Sequence, residues 1–115
     1  MNDPHTFGLF FEDFAVKELS VYASLLHGEI RHYRDSNGLE CDCVLHLKDG
    51  RYGLIEIKLG GENLIQEGIS NLNSLQNRII SSDMKLPSFR MIVTACGNAY
   101  VKDSVYIVPI NVLTA

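Results

Sequence analysis

Residues 39–59 constrain this chain more than any other stretch. Two runs of alternating character, Leu39 to Leu47 and Arg51 to Leu59, flank the tripeptide Lys48-Asp49-Gly50. Alternation at period two marks strands, and a glycine-containing turn between two such runs marks a β-hairpin. The loop length sets the register, and the register decides which side chains meet. A two-residue Asp49-Gly50 turn pairs Lys48 with Arg51 and sets Asp42 opposite Ile57, on the wrong face from Glu56. A three-residue loop is the other common choice, and Gly50 fits the left-handed slot that follows its type I turn. That loop sets Asp42 opposite Glu56, and Glu40 opposite Lys58.

Side chains alternate along a strand, so Ile55, Ile57 and Leu59 share one face and Leu54, Glu56 and Lys58 the other. A carboxylate and an ammonium inside so apolar a run are costly unless paired or solvated in a cleft. Opposite Cβ atoms lie about 5 Å apart, so Asp42 and Glu56 repel each other unless a cation sits between them. Hard oxygen ligands at that spacing suit Mg²⁺ or Mn²⁺, and Lys58 beside them would orient a water or stabilise charge on a phosphate oxygen. The competing reading makes Glu40, Asp42, Glu56 and Lys58 a wet face of ordinary cross-strand salt bridges.

The remaining elements follow from periodicity and punctuation. Thr6 is placed to cap a helix from Phe7 to about Leu26, ended by His27-Gly28-Glu29 with Gly28 in a left-handed position. Ile30 to Tyr33 is a short strand, and Arg34 to Gly38 a turn. Beyond Gly60-Gly61, Asn63 caps a second helix to about Ser81, with a stripe at Ile65, Ile69, Leu72, Gln76 and Ile79. Arg90 to Ala95 and Val105 to Pro109 complete the set as strands. The order is α-β-β-β-α-β-β: an α/β sandwich whose mixed sheet begins with an antiparallel three-strand meander flanked by helices. In the first helix, Leu9, Glu12, Val16, Leu19, Ala23 and Leu26 follow helical spacing, and Glu12 interrupts that stripe. A carboxylate on a buried stripe needs a partner. The alternative buried face is Phe7, Phe10, Phe11 and Phe14, which leaves Glu12 exposed.

With 115 residues, residues 1–115 are expected to form a single domain. The net charge of −4 excludes a domain that grips nucleic acid through a basic bulk field. No apolar run approaches the ~18 residues needed to span a bilayer, and MNDPHTFGLF lacks the pattern of a secretory signal. Three cysteines, two of them at Cys41 and Cys43, fit reduced thiols in a cytoplasm.

The ordered set of a helix acid, a strand Asp and a following Glu-x-Lys resembles the PD-(D/E)XK nuclease superfamily. Three segments, Gly8 to Leu19, Tyr33 to Asp42 and Ile55 to Lys58, are similar to the C-terminal domain of unknown function found in a group of prokaryotic AAA-type ATPases. The resemblance covers about residues 7 to 110. It implies a restriction-endonuclease-like sandwich. It also implies that Asp42, Glu56 and the Ile57 carbonyl ligate the metal, that Glu12 completes the shell through water, and that Lys58 activates or positions the attacking water. Gln66 or Gln76 would touch a phosphate or a water of the metal. The proline of the family name is replaced by Cys41. No Gly-x-x-x-x-Gly-Lys-Ser/Thr loop occurs in these residues, so an AAA-type ATPase partner would lie outside them.

The expected function is a Mg²⁺- or Mn²⁺-dependent phosphodiesterase acting on DNA or RNA, gripped weakly by this domain alone. The alternative is a catalytically silent nuclease-like domain that serves an ATPase as a binding or regulatory module. Other motifs point elsewhere less strongly. Cys41 and Cys43 should face away from Asp42 as small buried hydrophobes. His5, His27, His32 and His46 form no ligand spacing. Gly60-Gly61 reads as a strand-to-helix turn rather than a phosphate cradle.

Overall fold

The three-residue loop forms where the glycine allows it. The computed structural model describes residues 4–114, with side chains from residue 7 onward. Gly50 adopts φ 90°, the Leu47 N–H donates to the Arg51 carbonyl at 2.9 Å, and strand β2 (Glu40–His46) pairs with β3 (Tyr52–Lys58) from His46 opposite Tyr52 to Cys43 opposite Ile55. This is the register in which Asp42 approaches Glu56.

Before this hairpin lie helix α1 (Pro4–Leu25) and strand β1 (Glu29–Arg34). After it come α2 (Glu62–Ser81), β4 (Phe89–Thr94), β5 (Tyr100–Lys102), β6 (Val105–Pro109) and α3 (Ile110–Leu113). The sheet order is β1-β2-β3-β4-β6-β5. β1, β2 and β3 form the antiparallel meander, whereas β4 runs parallel to both β3 and β6. The parallel β3–β4 pair needs a crossover, and α2 supplies it. The order matches the expected α-β-β-β-α-β-β, with two short additions: β5, which hairpins onto β6 as an edge, and α3. Three residues of strand and four of helix carry too little periodicity to be read from sequence.

α2 covers one face of the sheet and α1 the other. Ile65, Ile69, Leu72 and Leu75 of α2 pack with Cys41, Val44, Leu54, Ile92, Val105 and Ile107. Phe11, Ala15 and Leu19 of α1 pack with Cys43, Ile55, Ile57 and Val93. The α2 stripe is therefore as expected except that Leu75, not Gln76, is buried, with Gly68 admitting Ile92 at close range. The face of α1 differs from both expectations. Phe11, Ala15, Leu19 and Ala23 are buried, whereas Leu9, Leu26, Phe7, Phe14 and Phe10 are exposed, Phe10 at 67%. A helix this apolar all round has no unique stripe, and packing against the sheet selects one by shape, with Ala15 and Ala23 almost fully buried on it. Glu12 lies beside that stripe and is exposed.

The helix ends also differ. α1 begins at Pro4, so Thr6 is in its first turn rather than at its cap. The cap of α2 is Gly61, with no side-chain hydrogen bond, not Asn63. At the end of α1 the left-handed residue is His27 (φ 58°), not Gly28. The Gly28 N–H donates to the Ala23 carbonyl at 2.7 Å and the His27 N–H to the Ser24 carbonyl at 3.0 Å, the paired bonds of a Schellman motif. Gly28 is needed for space: a Cβ there would run into the His46 backbone carbonyl. Gly28→Ala should cost about 1–3 kcal/mol, read from the urea midpoint. An unchanged midpoint would show that β1 shifts freely against β2.

Candidate functional site

The site begins with an irregularity in β2. Arg31 of β1 pairs with Val44, but Tyr33 pairs with Cys41, so Asp42 and Cys43 together oppose His32. Two residues against one is a β-bulge, and a bulge re-aims side chains. It reverses the alternation of β2. Cys43 joins the α1-side core and Cys41 the α2-side core, which corrects the expectation that both thiols share one face. Both are free and buried, and burial, followed by the nearby carboxylates, pushes each thiol up to about 12. They are small core hydrophobes, not thiolate ligands.

Past Cys43 the ladder between β2 and β3 is completed by side chains. The Asp42 N–H donates to Glu56 Oε2 at 3.0 Å, and the Ile57 N–H donates to Asp42 Oδ2 at 2.8 Å. The two carboxylates are thus interleaved with the two backbones where the strands part. Glu56 is only 5% exposed. Its Oε1 accepts a hydrogen bond from Asn71 Nδ2 at 2.8 Å, and the same amide nitrogen donates to the Glu40 carbonyl at 2.8 Å. Asn71 therefore ties α2 to both strands at the point where they separate.

Burial, and then the charge of Asp42, raise the Glu56 carboxyl to about 7; the bonds from the Asp42 N–H and Asn71, and the charge of Lys58, oppose that rise. Glu12 is raised in the same direction by partial burial and then by Asp42, with His32 and Lys58 opposing. For both groups burial, and after it the charge of Asp42, outweighs the compensation that the surrounding donors and cations supply.

Lys58 stands between two clefts. On the α1 side, a cleft of about 270 Å³ is lined by Glu12, Ile57 and Lys58 among others. On the α2 side, a cleft of about 280 Å³ is lined by Gly38, Glu40, Glu56, Lys58, Glu67 and Asn71. The Lys58 ammonium pairs with Glu67 at 2.9 Å. Glu40 does not meet Lys58 as the extended register would have it. Its carboxylate pairs with His32 at 3.1 Å and Arg34 at 3.6 Å, because the paired ladder ends at Cys43.

Of the four residues singled out by the sequence, Asp42 and Glu56 are joined by hydrogen bonds and Lys58 shares a cleft with Glu56. Glu12 faces the other cleft, near enough to feel the charge of Asp42. Gln66 and Gln76 take no part; Asn71 and Glu67 are the α2 residues at the site. Neither was signalled by sequence, although both lie on the helix face that carries Gly68 and Leu75. His32 belongs to the site's margin, and the side chain of His5 lies outside the described residues. Gly60 and Gly61, at φ 130° and 90°, form the strand-to-helix turn that was expected.

Among the described residues, no three His, Cys, Asp or Glu side chains converge to hold a metal ion by themselves. Two carboxylates and the Ile57 carbonyl are a smaller set, and their chemistry fits a hard divalent cation: all oxygen donors, with an excess of negative charge. Asp42 Oδ1 has no hydrogen-bond partner among the described residues, which leaves it available.

These features define a mixed α/β domain with a buried Glu56 and a half-buried Asp42 at the parting of two antiparallel strands. The chain belongs to the family described as a domain of unknown function, DUF4143, whose pattern matches residues 7–113. No curated protein and no solved structure matches the chain.

Proposed function

We propose that this domain is a metal-dependent phosphodiesterase of the PD-(D/E)XK type, acting on nucleic acid in the cytoplasm alongside an AAA-type ATPase portion. The carrying observation is the Asp42–Glu56 pair, interleaved at the strand divergence and under-compensated, with Lys58 two residues farther along β3. Asp42, Glu56 and the Ile57 carbonyl would hold Mg²⁺ or Mn²⁺, with Glu12 contributing through water. The cation would polarise a phosphate oxygen and acidify water at neutral pH.

The chain's own groups divide the remaining work. Asn71 fixes the orientation of Glu56. Lys58 would orient the attacking water and stabilise charge developing on a phosphate oxygen. The acid excess around the site would repel a phosphate until a divalent cation reverses the local field. The net charge of −4 leaves most of the grip on nucleic acid to the ATPase portion.

The silent-module reading has its own observation in its favour. Asp42 and Glu56 complete the strand ladder and Lys58 is occupied by Glu67, so the same side chains serve the fold. Calorimetric titration with Mn²⁺ and Mg²⁺ of the wild type and Asp42→Asn tests the metal reading. Saturable binding that disappears in the variant is expected; no binding at millimolar metal would exclude it. Lys58→Ala should then abolish cleavage of a mixed DNA and RNA panel while leaving the circular dichroism spectrum intact. A metal-binding wild type that cuts nothing would favour the silent module.

A further inference from the structure

We propose that Glu67 is a positioning residue that holds the Lys58 ammonium away from the Asp42–Glu56 pair, so that the pair stays open to a divalent cation. This rests on the cation-site reading above.

Lys58 has two possible sets of acidic partners. It lines the same cleft as Glu56, and its charge reaches both Glu56 and Glu12. Folded onto Asp42 and Glu56, the ammonium would compensate them as a cation supplied by the chain itself. A tethered cation competes with a dissolved one at high effective concentration. The structure shows the other arrangement. Lys58 Nζ is 2.9 Å from Glu67 Oε1, on a side chain that is 66% exposed, while no ammonium among the described residues bonds the carboxylate pair.

α2 imposes that arrangement through consecutive turns of one face. Glu67 and Asn71 are four residues apart and therefore adjacent on the helix surface. Asn71 takes the Glu56 carboxylate and Glu67 takes the Lys58 ammonium. Between them the Lys58 stem passes beside Gly68, where a Cβ would stand at ordinary contact distance, 3.5 Å, from Lys58 Cγ. The lysine stem thus runs along the helix toward Glu67, and the helix sorts the two charges of β3 onto separate partners.

The experiment is a Mn²⁺ calorimetric titration of the full chain as wild type, Glu67→Gln, Lys58→Met and the double variant. Nitrogen-15 lysine spectra of the metal-free proteins supply a second readout. Glu67→Gln should weaken Mn²⁺ binding about tenfold and move the Lys58 ammonium resonance, with new contacts to the Asp42 amide. Lys58→Met and the double variant should bind alike and at least as tightly as wild type, because Glu67 then has nothing to hold. If the double variant binds as weakly as Glu67→Gln, Glu67 acts on the metal by its own charge and the proposal is overturned. Equal affinity of Glu67→Gln and wild type overturns it too, while leaving the cation site standing. A wild type that binds no Mn²⁺ removes the cation site and this proposal together.

Discussion

In the absence of metal, the wild type should lose on the order of 3 kcal/mol of folding stability relative to Glu56→Gln as pH rises from 4.5 to about 7, and no more above that. The sign follows from where the proton sits. The unfolded chain releases it near 4.5, and the folded chain keeps it until about 7 because burial and the Asp42 charge disfavour the carboxylate. Below 4.5 both states are protonated and the contribution is fully present. Through the window the folded state holds a proton that the unfolded state has lost, so raising the pH favours unfolding. Above 7 both states are ionised and the contribution is gone. Glu12 is shifted in the same direction and adds to the slope in both proteins. The amide variant has one acceptor for the two donors that Glu56 satisfies, Asp42 N–H and Asn71, which offsets its curve without tilting it. Urea denaturation in EDTA at half-unit pH steps reads the difference. Parallel curves would show that Glu56 ionises in the folded chain as it does in the unfolded one.

Leu72→Ala should cost about 3 kcal/mol and lower the melting temperature by roughly 10–20 °C. Leu72 is 0% exposed and sits in the seam where α2 meets Leu54, Ile92 and Ile107. Removing its isobutyl group leaves a cavity between a helix and a sheet, neither of which can collapse without breaking its own hydrogen bonds. Against a total of about 5–15 kcal/mol for a domain, that is a large share. The site should suffer as well, since the neighbouring Asn71 depends on α2 for its reach to Glu56 and to the Glu40 carbonyl. Leu86→Ala, at a position 51% exposed, is the control and should change stability by about 0.5 kcal/mol or less. Similar melting temperatures for the two variants would mean that the α2 seam is not the close-packed interface described.

The buried thiols, the reversed face of β2 and the position of Asp42 share one cause, the bulge at Asp42-Cys43. Strict alternation reads Cys41 and Cys43 as one face, and nothing in Glu40-Cys41-Asp42-Cys43 marks the extra residue. The bulge is set by β1, whose His32 stands opposite both Asp42 and Cys43. The α1 face was illegible for a different reason. Phenylalanines and leucines lie all round that helix, so periodicity offered two stripes, and the sheet buried a third built on Phe11, Ala15, Leu19 and Ala23.

The sequence by itself determined the features that depend on neighbours in the chain. Lys48-Asp49-Gly50 narrowed the turn to two common loops, of which the three-residue one suits Gly50, each loop fixed a hairpin register, and period-two alternation put Ile55 and Ile57 on one face of β3 and Leu54, Glu56 and Lys58 on the other. Local steric preference and pleat geometry suffice for that. Tertiary structure alone decided what those charges meet. Asn71 reaches Glu56 across 15 residues of chain, and Glu67 reaches Lys58 across nine, only because α2 packs its Ile65–Leu75 seam on that face of the sheet. Hydrophobic burial sets that docking. It is non-directional and collective, so no single residue's neighbours announce it.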